Sequence, residues 1–271
     1  MNKLFKLSIA WGLSISTTIL TLVPDSIISS VKLCETCSEN LVLLINRVLI
    51  LFGVFFLSIV SNCVFLLFRR KITLRGRYYC IQVEYGNIFN YKGCQKVISF
   101  DECFTTVIGT APHEIKESSI CGQYLKANQG IDIQELINRE GLEPEIEKSR
   151  FKNHTRYTSG KIVPNGDDLL MAFAKLDENG RGFFPTREDY LNSLAVMWAE
   201  IHKHFQMKDV CIPILGGGLT TIGESTLTQQ ELVDLIIASY KLSSEKIKSP
   251  QKLRIVCKKN SISLNKVGNT I

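Results

Sequence analysis

The chain is poor in the groups that much enzyme chemistry needs. Its 271 residues include four His and two Trp. There is no HExxH pair and no Ser-His-Asp signature, and none of Cys80, Cys94, Cys103, Cys121, Cys211 and Cys257 pairs with another Cys or His at zinc spacing. Metal-dependent and triad hydrolysis are therefore without a sequence signal. Beyond residue 77 neither sign of charge is in excess, because residues 78–271 carry 23 Lys/Arg and 23 Asp/Glu. The net charge of +6 lies wholly in residues 1–77, which hold nine cationic and three anionic side chains. A neutral folded part argues against a nucleic-acid partner, since binding a phosphate backbone needs a basic surface. Long uncharged runs are also missing after residue 77, which excludes a polytopic transporter. The 45% hydrophobic content excludes a disordered chain.

What is present at the N-terminus is membrane-like. Val48 to Phe68 is 21 residues without a charge, stopped by Arg69, Arg70 and Lys71. At 1.5 Å per residue it spans the ~30 Å hydrocarbon core. Leu7 to Val23 is a second uncharged run, behind Lys3 and Lys6. It reads as another transmembrane helix rather than a cleaved signal peptide, because Leu22-Val23-Pro24 is a poor cleavage site. Basic residues cluster at 3–6 and 69–77, while the connecting segment 24–40 has only Lys32. The positive-inside rule then places both termini in the cytoplasm. Asn46 and Asn62 read as interfacial, and Arg47 as snorkelling to the outer surface. Cys34 and Cys37 form a Cys-x-x-Cys in the outer loop, either bridged or free. The remaining cysteines of the C-terminal part read as small buried hydrophobes.

From residue 78 the pattern alternates between strand and helix. Segments 78–86, 96–100, 161–165, 169–177, 210–215 and 252–258 read as strands. Thr186-Arg-Glu-Asp189 and Thr228-Gln-Gln-Glu231 read as capping boxes that open helices. Tyr190, Leu194, Met197, Ile201 and Phe205 form one apolar stripe on the first of these. The charged stretch 132–156 reads as a solvated helix or loop. These features predict helices on both sides of a mixed sheet.

One stretch carries chemistry. A buried strand opens into Gly216-Gly217-Gly218, followed by Leu219, Thr220 and Thr221. Three glycines let backbone N–H groups approach an anion closely, and phosphate oxygens suit such a nest. No Gly-Lys-Ser/Thr follows, so this is not a Walker loop. Asp177-x-Asn179-x-Arg181-Gly182 mimics a calcium loop, but Arg181 stands at a ligand position, so a turn is expected. His202 and His204 fall on different helix faces, so no metal is expected there.

Together these pieces resemble the macro-domain family, which binds ADP-ribose derivatives. The resemblance rests on Gly86-Asn87-Ile88-Phe89 after one strand, Phe100-Asp101-Glu102-Cys103-Phe104 after another, and the glycine loop. It implies that Asn87 and Ile88 meet the adenine, with Asn87 replacing the family's usual Asp. It implies that Gly216, Gly217, Gly218, Leu219 and Thr220 wrap the diphosphate. By motif position Asp101, Thr105, Ser119 and Gly122 are further ligand-binding candidates. The family's hydrolases carry asparagines after the second strand; here residues 98–104 lack them. The resemblance thus implies a sensor with no catalytic residue, metal or cofactor.

Ser118-Ser119-Ile120-Cys121-Gly122-Gln123, Tyr157-Thr-Ser-Gly160-Lys-Ile-Val and Pro213-Ile-Leu-Gly-Gly-Gly-Leu-Thr-Thr are similar to the variant macro domains of bacterial anti-phage systems. The whole plan resembles the membrane effectors of type II Thoeris defence. That resemblance implies residues 1–77 as a two-helix transmembrane hairpin with a basic cytoplasmic flank. It implies residues 78–271 as a macro-like three-layer α/β/α domain with a mixed sheet. It also implies a bacterial inner-membrane location, an NAD-derived signal from a TIR-domain enzyme (histidine–ADP-ribose), a homo-oligomer, and membrane lipid as the target. Two alternatives stay open: a membrane-anchored ADP-ribosyl hydrolase, and a reader of ADP-ribosylated proteins.

Overall fold

A computed structural model describes residues 2–28, 38–111, 113–223 and 227–268. Cys34 and Cys37 lie outside the described residues. The chain divides into two compact units, 1–69 and 70–271. The expected boundary after residue 77 is thereby corrected. Lys71–Arg75 is not a flank of the hairpin but the first strand of the sheet, β1. Its signal was hidden: Ile72 and Leu74 alternate with Lys71, Thr73 and Arg75, and the charges read as a membrane stop.

The first unit is helical. Helix α1 (Asn2–Leu22) is followed by the short α2 (Asp25–Ile28) and the long α3 (Glu39–Phe68). Among the described residues one stretch, Asn40–Phe68, is long and apolar enough to cross a membrane. The apolar stretch of α1, Ile9–Leu22, is shorter. The helices run antiparallel. A Cβ on Gly12 would lie 3.2 Å from the Phe55 ring, and Arg47 meets Asp25 at 2.6 Å. Asn46 is buried, and its Nδ2 donates to the Ile28 carbonyl at 2.7 Å. It ties α2 to α3 rather than lying at the interface, because that carbonyl has no partner inside so short a helix. Thr17, Thr18 and Thr21 donate to carbonyls three or four residues back, so these hydroxyls are satisfied within their own helix.

The second unit is a nine-stranded mixed sheet. Its strands after β1 are β2 (Cys80–Tyr85), β3 (Cys94–Asp101), β4 (Ile162–Asn165), β5 (Asp168–Leu176), β6 (Gly182–Phe184), β7 (Asp209–Pro213), β8 (Thr221–Ile222) and β9 (Leu253–Cys257). The order is β1-β2-β9-β7-β3-β5-β6-β8, with β4 also on β5. The five central strands β2, β9, β7, β3 and β5 are parallel. Strands β1, β4 and β6 pair antiparallel.

Period-two alternation splits the side chains between two cores. Val97, Leu169, Met171, Val210, Ile212 and Ile255 pack against α6 (Arg187–Lys203) and α7 (Gln229–Leu242). Ile98, Phe100, Leu170 and Ala172 pack against α4 (Ile120–Ala127) and α5 (Ile133–Glu140). Both capping boxes are complete, with Thr186 accepting from Asp189 N–H and Thr228 from Glu231 N–H. Helix α5 falls in the stretch expected to be solvated. Its apolar face is only Ile133, Leu136 and Ile137, too short to stand out among the surrounding charges. Over β2, β9 and β7 the second face is covered by the 3-10 turn Ile88–Asn90, with Phe89 and Tyr91, and by Ile120 of α4.

Candidate functional site

Because the central strands are parallel, their C-terminal ends form one rim, and open α/β sheets bind ligands outside that rim. Three expected segments lie there. Gly86-Asn87 follows β2, Asp101–Thr105 follows β3, and Ile214–Thr220 follows β7. Strands β3 and β7 are neighbours, and β9 separates β7 from β2. Helix α4 begins near the same rim, and Cys121 in its first turn feels the charge of Asp101. The sheet thus gathers every expected binding residue on one edge, but gives them different tasks.

The glycine loop is held from behind. Tyr190 donates its hydroxyl to the Leu215 carbonyl at 3.1 Å. Gln229 Nε2 donates to the Gly217 carbonyl at 2.8 Å. Gly217 N–H closes a turn onto the Ile214 carbonyl at 3.3 Å. Gly216 has φ +78°, a left-handed conformation that glycine adopts without strain. A Cβ on Gly217 would sit 3.1 Å from Ile214 Cγ2, whereas Gly218 faces open space. Among the described residues no carbonyl accepts from the N–H of Gly218 or Leu219. The N–H groups of Gly218 and Leu219 are thus open on a loop in which the carbonyls of Ile214, Leu215 and Gly217 are bonded. That geometry suits an anion. Leu219 is exposed beside them, and Val107 is exposed on the loop after β3.

At the other rim segments most polar atoms are already engaged. Asn87 Oδ1 accepts from Phe89 N–H at 3.1 Å and caps the 3-10 turn. One lone pair of that oxygen and the amide NH₂ remain for a ligand. Ile88 is buried. Asp101 Oδ1 accepts from Cys103 N–H at 2.8 Å and Thr105 N–H at 3.3 Å, and Oδ2 accepts from the Thr105 hydroxyl. Asp101 and Thr105 therefore fold their own loop. Burial raises the Asp101 pKa despite these bonds. Burial likewise pushes the Cys103 thiol up to about 12, so it is no ready nucleophile.

Ser119 caps α4, accepting from Gly122 N–H at 3.0 Å and donating to the Lys116 carbonyl at 2.6 Å. A Cβ on Gly122 would lie 2.3 Å from that same carbonyl. Both residues thus serve the helix start. Glu102, beside Asp101, is buried and accepts from Ser149 Oγ at 2.5 Å and Leu176 N–H at 3.1 Å, joining three segments under the rim.

Sequence reasoning missed the supports of the glycine loop. Tyr190 was legible only as one more apolar position of a helix stripe, and Gln229 only as a residue inside a capping box. Their polar ends are assigned by tertiary contact. Tyr91 was missed too. Its hydroxyl packs where a Cβ of Gly86 would stand, 2.7 Å away, and burial, with Glu84 beside it, raises its pKa to about 12.

Known proteins are similar to this chain in sequence. Residues 81–258 match the family model described as Thoeris protein ThsA, Macro domain. The chain is 30% identical over 259 residues to the Thoeris protein ThsA of Bacillus amyloliquefaciens (strain Y2), covering 92% of this chain and 84% of that protein. Among solved structures, a variant of the Oceanobacillus iheyensis macrodomain is similar at 11% identity and a TM-score of 0.47, covering 73% of this chain and 95% of that one. The same macrodomain with ADP gives 10% identity and a TM-score of 0.43, covering 70% and 89%. The family model spans the sheet from β2 to β9 with the rim loops between them, and the relative extends over nearly the whole chain; on these matches the chain belongs to the Thoeris ThsA macro-domain family.

Proposed function

We propose that this chain is a membrane-anchored effector of anti-phage defence that senses an ADP-ribose derivative, assembles with copies of itself and breaches the membrane. The signal is an NAD-derived nucleotide from a TIR-domain enzyme, histidine–ADP-ribose by resemblance. One observation carries the reading: the two open N–H groups at Gly218 and Leu219, on a loop fixed by Tyr190 and Gln229. A diphosphate bound there receives hydrogen bonds from donors that need no reorganisation. Residues 78–271 are formally neutral, so fixed backbone dipoles rather than net charge supply the attraction.

Asn87 presents an amide to the base, and Leu219 forms an apolar wall. The carboxylate of Asp101, on the same rim, is engaged in shaping its own loop. That supports a sensor over a hydrolase. The α1–α3 hairpin crosses the inner membrane twice with both termini in the cytoplasm, in keeping with the basic residues at its two ends. Two helices enclose no pore, so damage requires several chains.

The test is calorimetric titration of the full chain in nanodiscs with ADP-ribose and histidine–ADP-ribose. Gly218→Glu is the informative variant. Its Cβ meets open space, so the loop keeps its shape while a carboxylate enters the anion site. The expected result is tight binding of the histidine conjugate, lost in the variant, and ligand-dependent dye release from vesicles. A folded chain that binds neither nucleotide would overturn the sensor reading. Release of free ADP-ribose from a modified protein would restore the hydrolase.

A further inference from the structure

The peptide unit between Gly217 and Gly218 faces two ways. Its carbonyl accepts from Gln229 Nε2 at 2.8 Å, and its N–H is one of the two left open. An acceptor on that N–H therefore orients and polarises the same plane that Gln229 holds. Gln229 is the first residue of α7. The next residue, Gln230, binds a different segment. Its Oε1 accepts from Ser263 N–H at 3.0 Å, while its Nε2 is buried without a hydrogen bond among the described residues. A joint with one donor unsatisfied is short of its bonding maximum, so a small shift of the turn can improve it.

Ser263 belongs to the segment 258–268, which follows β9. Among the described residues this segment holds no helix or strand. Turns at Ser261 and Lys266 shape it, their N–H groups donating to the carbonyls of Lys258 and Ser263 at 3.2 and 3.0 Å. Ile262, Leu264 and Val267 are buried in the core against which Ile72 and Leu74 of β1 pack. Tyr85, at the end of β2, donates its hydroxyl to the Ile262 carbonyl at 2.8 Å. A Cβ on Gly268 would lie 3.3 Å from Leu74 Cδ2, so the segment reaches β1. A segment of this kind opens at lower cost than the strands beneath it. It joins the support of the glycine loop to the strand that α3 runs into after two residues.

We propose that residues 258–268 form a strap that carries occupancy of the glycine loop to β1. This rests on reading that loop as the anion site for an ADP-ribose derivative. An anion on Gly218 N–H fixes the shared peptide plane, Gln229 fixes the first turn of α7, and Gln230 seats the strap against β1. Linkage makes the coupling reciprocal, so loosening the strap must weaken binding at the loop.

The experiment is amide hydrogen exchange on the full chain in nanodiscs, with and without ADP-ribose, for wild type and Gln230→Ala. Amides of β3 and β7 report that the sheet is intact. Tyr85→Phe, which releases the Ile262 carbonyl, is the second variant and serves alone if Gln230→Ala does not fold. In wild type, binding should slow exchange several-fold over residues 258–268 and 71–75. In the variants the slowing should stay at 214–220 and be lost from the strap and β1, and ADP-ribose should bind several-fold more weakly by calorimetry. Slowing confined to 214–220 in wild type would overturn the strap. Slowing over 258–268 that survives in the variants would overturn it too. A folded chain with no slowing and no heat of ADP-ribose binding would instead overturn the sensor reading on which the strap rests.

Discussion

In the helical unit many large apolar side chains face outward, whereas in the sheet unit most are buried. Ser16 and Asn46 are buried between helices, while Phe52, Phe56, Phe65 and Leu67 face outward, Phe56 at 66% exposure. In the sheet unit Trp198 is 2% exposed, and Leu194, Met197, Ile212 and Ile255 are fully covered. The difference is the one expected if α3 spans a membrane, as proposed above. Apolar groups gain by leaving water but gain nothing by leaving hydrocarbon, so in a membrane helices pair through small and polar contacts.

The sharpest way to break this comparison is one truncation made in both units. Trp198→Ala removes a packed indole that donates to Ser239 Oγ at 2.9 Å, and should cost about 3–5 kcal/mol. Phe56→Ala, on the exposed side of α3, should stay within about 0.5 kcal/mol if that side faces lipid as proposed. Thermal unfolding of the full chain in nanodiscs reads both. Comparable losses would mean that Phe56 is packed against protein. A smaller effect sharpens the helical side. Asn46→Ala deletes the bond to the Ile28 carbonyl and should weaken the hairpin by about 1 kcal/mol, measured by detergent titration. Asn46→Asp, in contrast, should not restore it, because a carboxylate cannot donate.

The smallest effect belongs to the sheet unit. The Glu231 carboxylate accepts from Thr228 N–H and Oγ1 at 2.8 Å, which holds its pKa below the usual glutamate range. A depressed folded pKa contributes stability that is present above the unfolded value and lost as pH falls through the folded one. The melting-temperature gap between wild type and Glu231→Gln should therefore be open at neutral pH and close on acidification. A gap that persists in acid would mean the bond, not the charge, carries the cap.

Much of the framework was legible in the sequence for reasons these residues make plain. Uninterrupted apolar strands such as Val210–Pro213 and capping boxes at Thr186 and Thr228 are local signals. Strand β1 was not legible, because a two-residue apolar alternation cannot be read among the five basic residues of 69–77, which read as a membrane stop. Nor were β6 and β8, short strands held by neighbours rather than by their own pattern. At the site, the glycine loop was visible as three successive glycines. The tasks of Asp101, Thr105, Ser119 and Gly122 were not, since a motif position does not say whether a polar atom turns to a ligand or to its own backbone.

What the sequence by itself determined is the division of the chain into a part with long uncharged apolar runs and a neutral part that alternates strand with helix. Those properties follow from composition and period, which act over a few residues. Only the tertiary structure decided which strands are neighbours, and so which loops share a rim. It alone brought Tyr190 and Gln229 to the carbonyls of the glycine loop and left the N–H groups of Gly218 and Leu219 open. Hydrogen bonds between residues 25 and 12 positions apart depend on packing that no local pattern encodes.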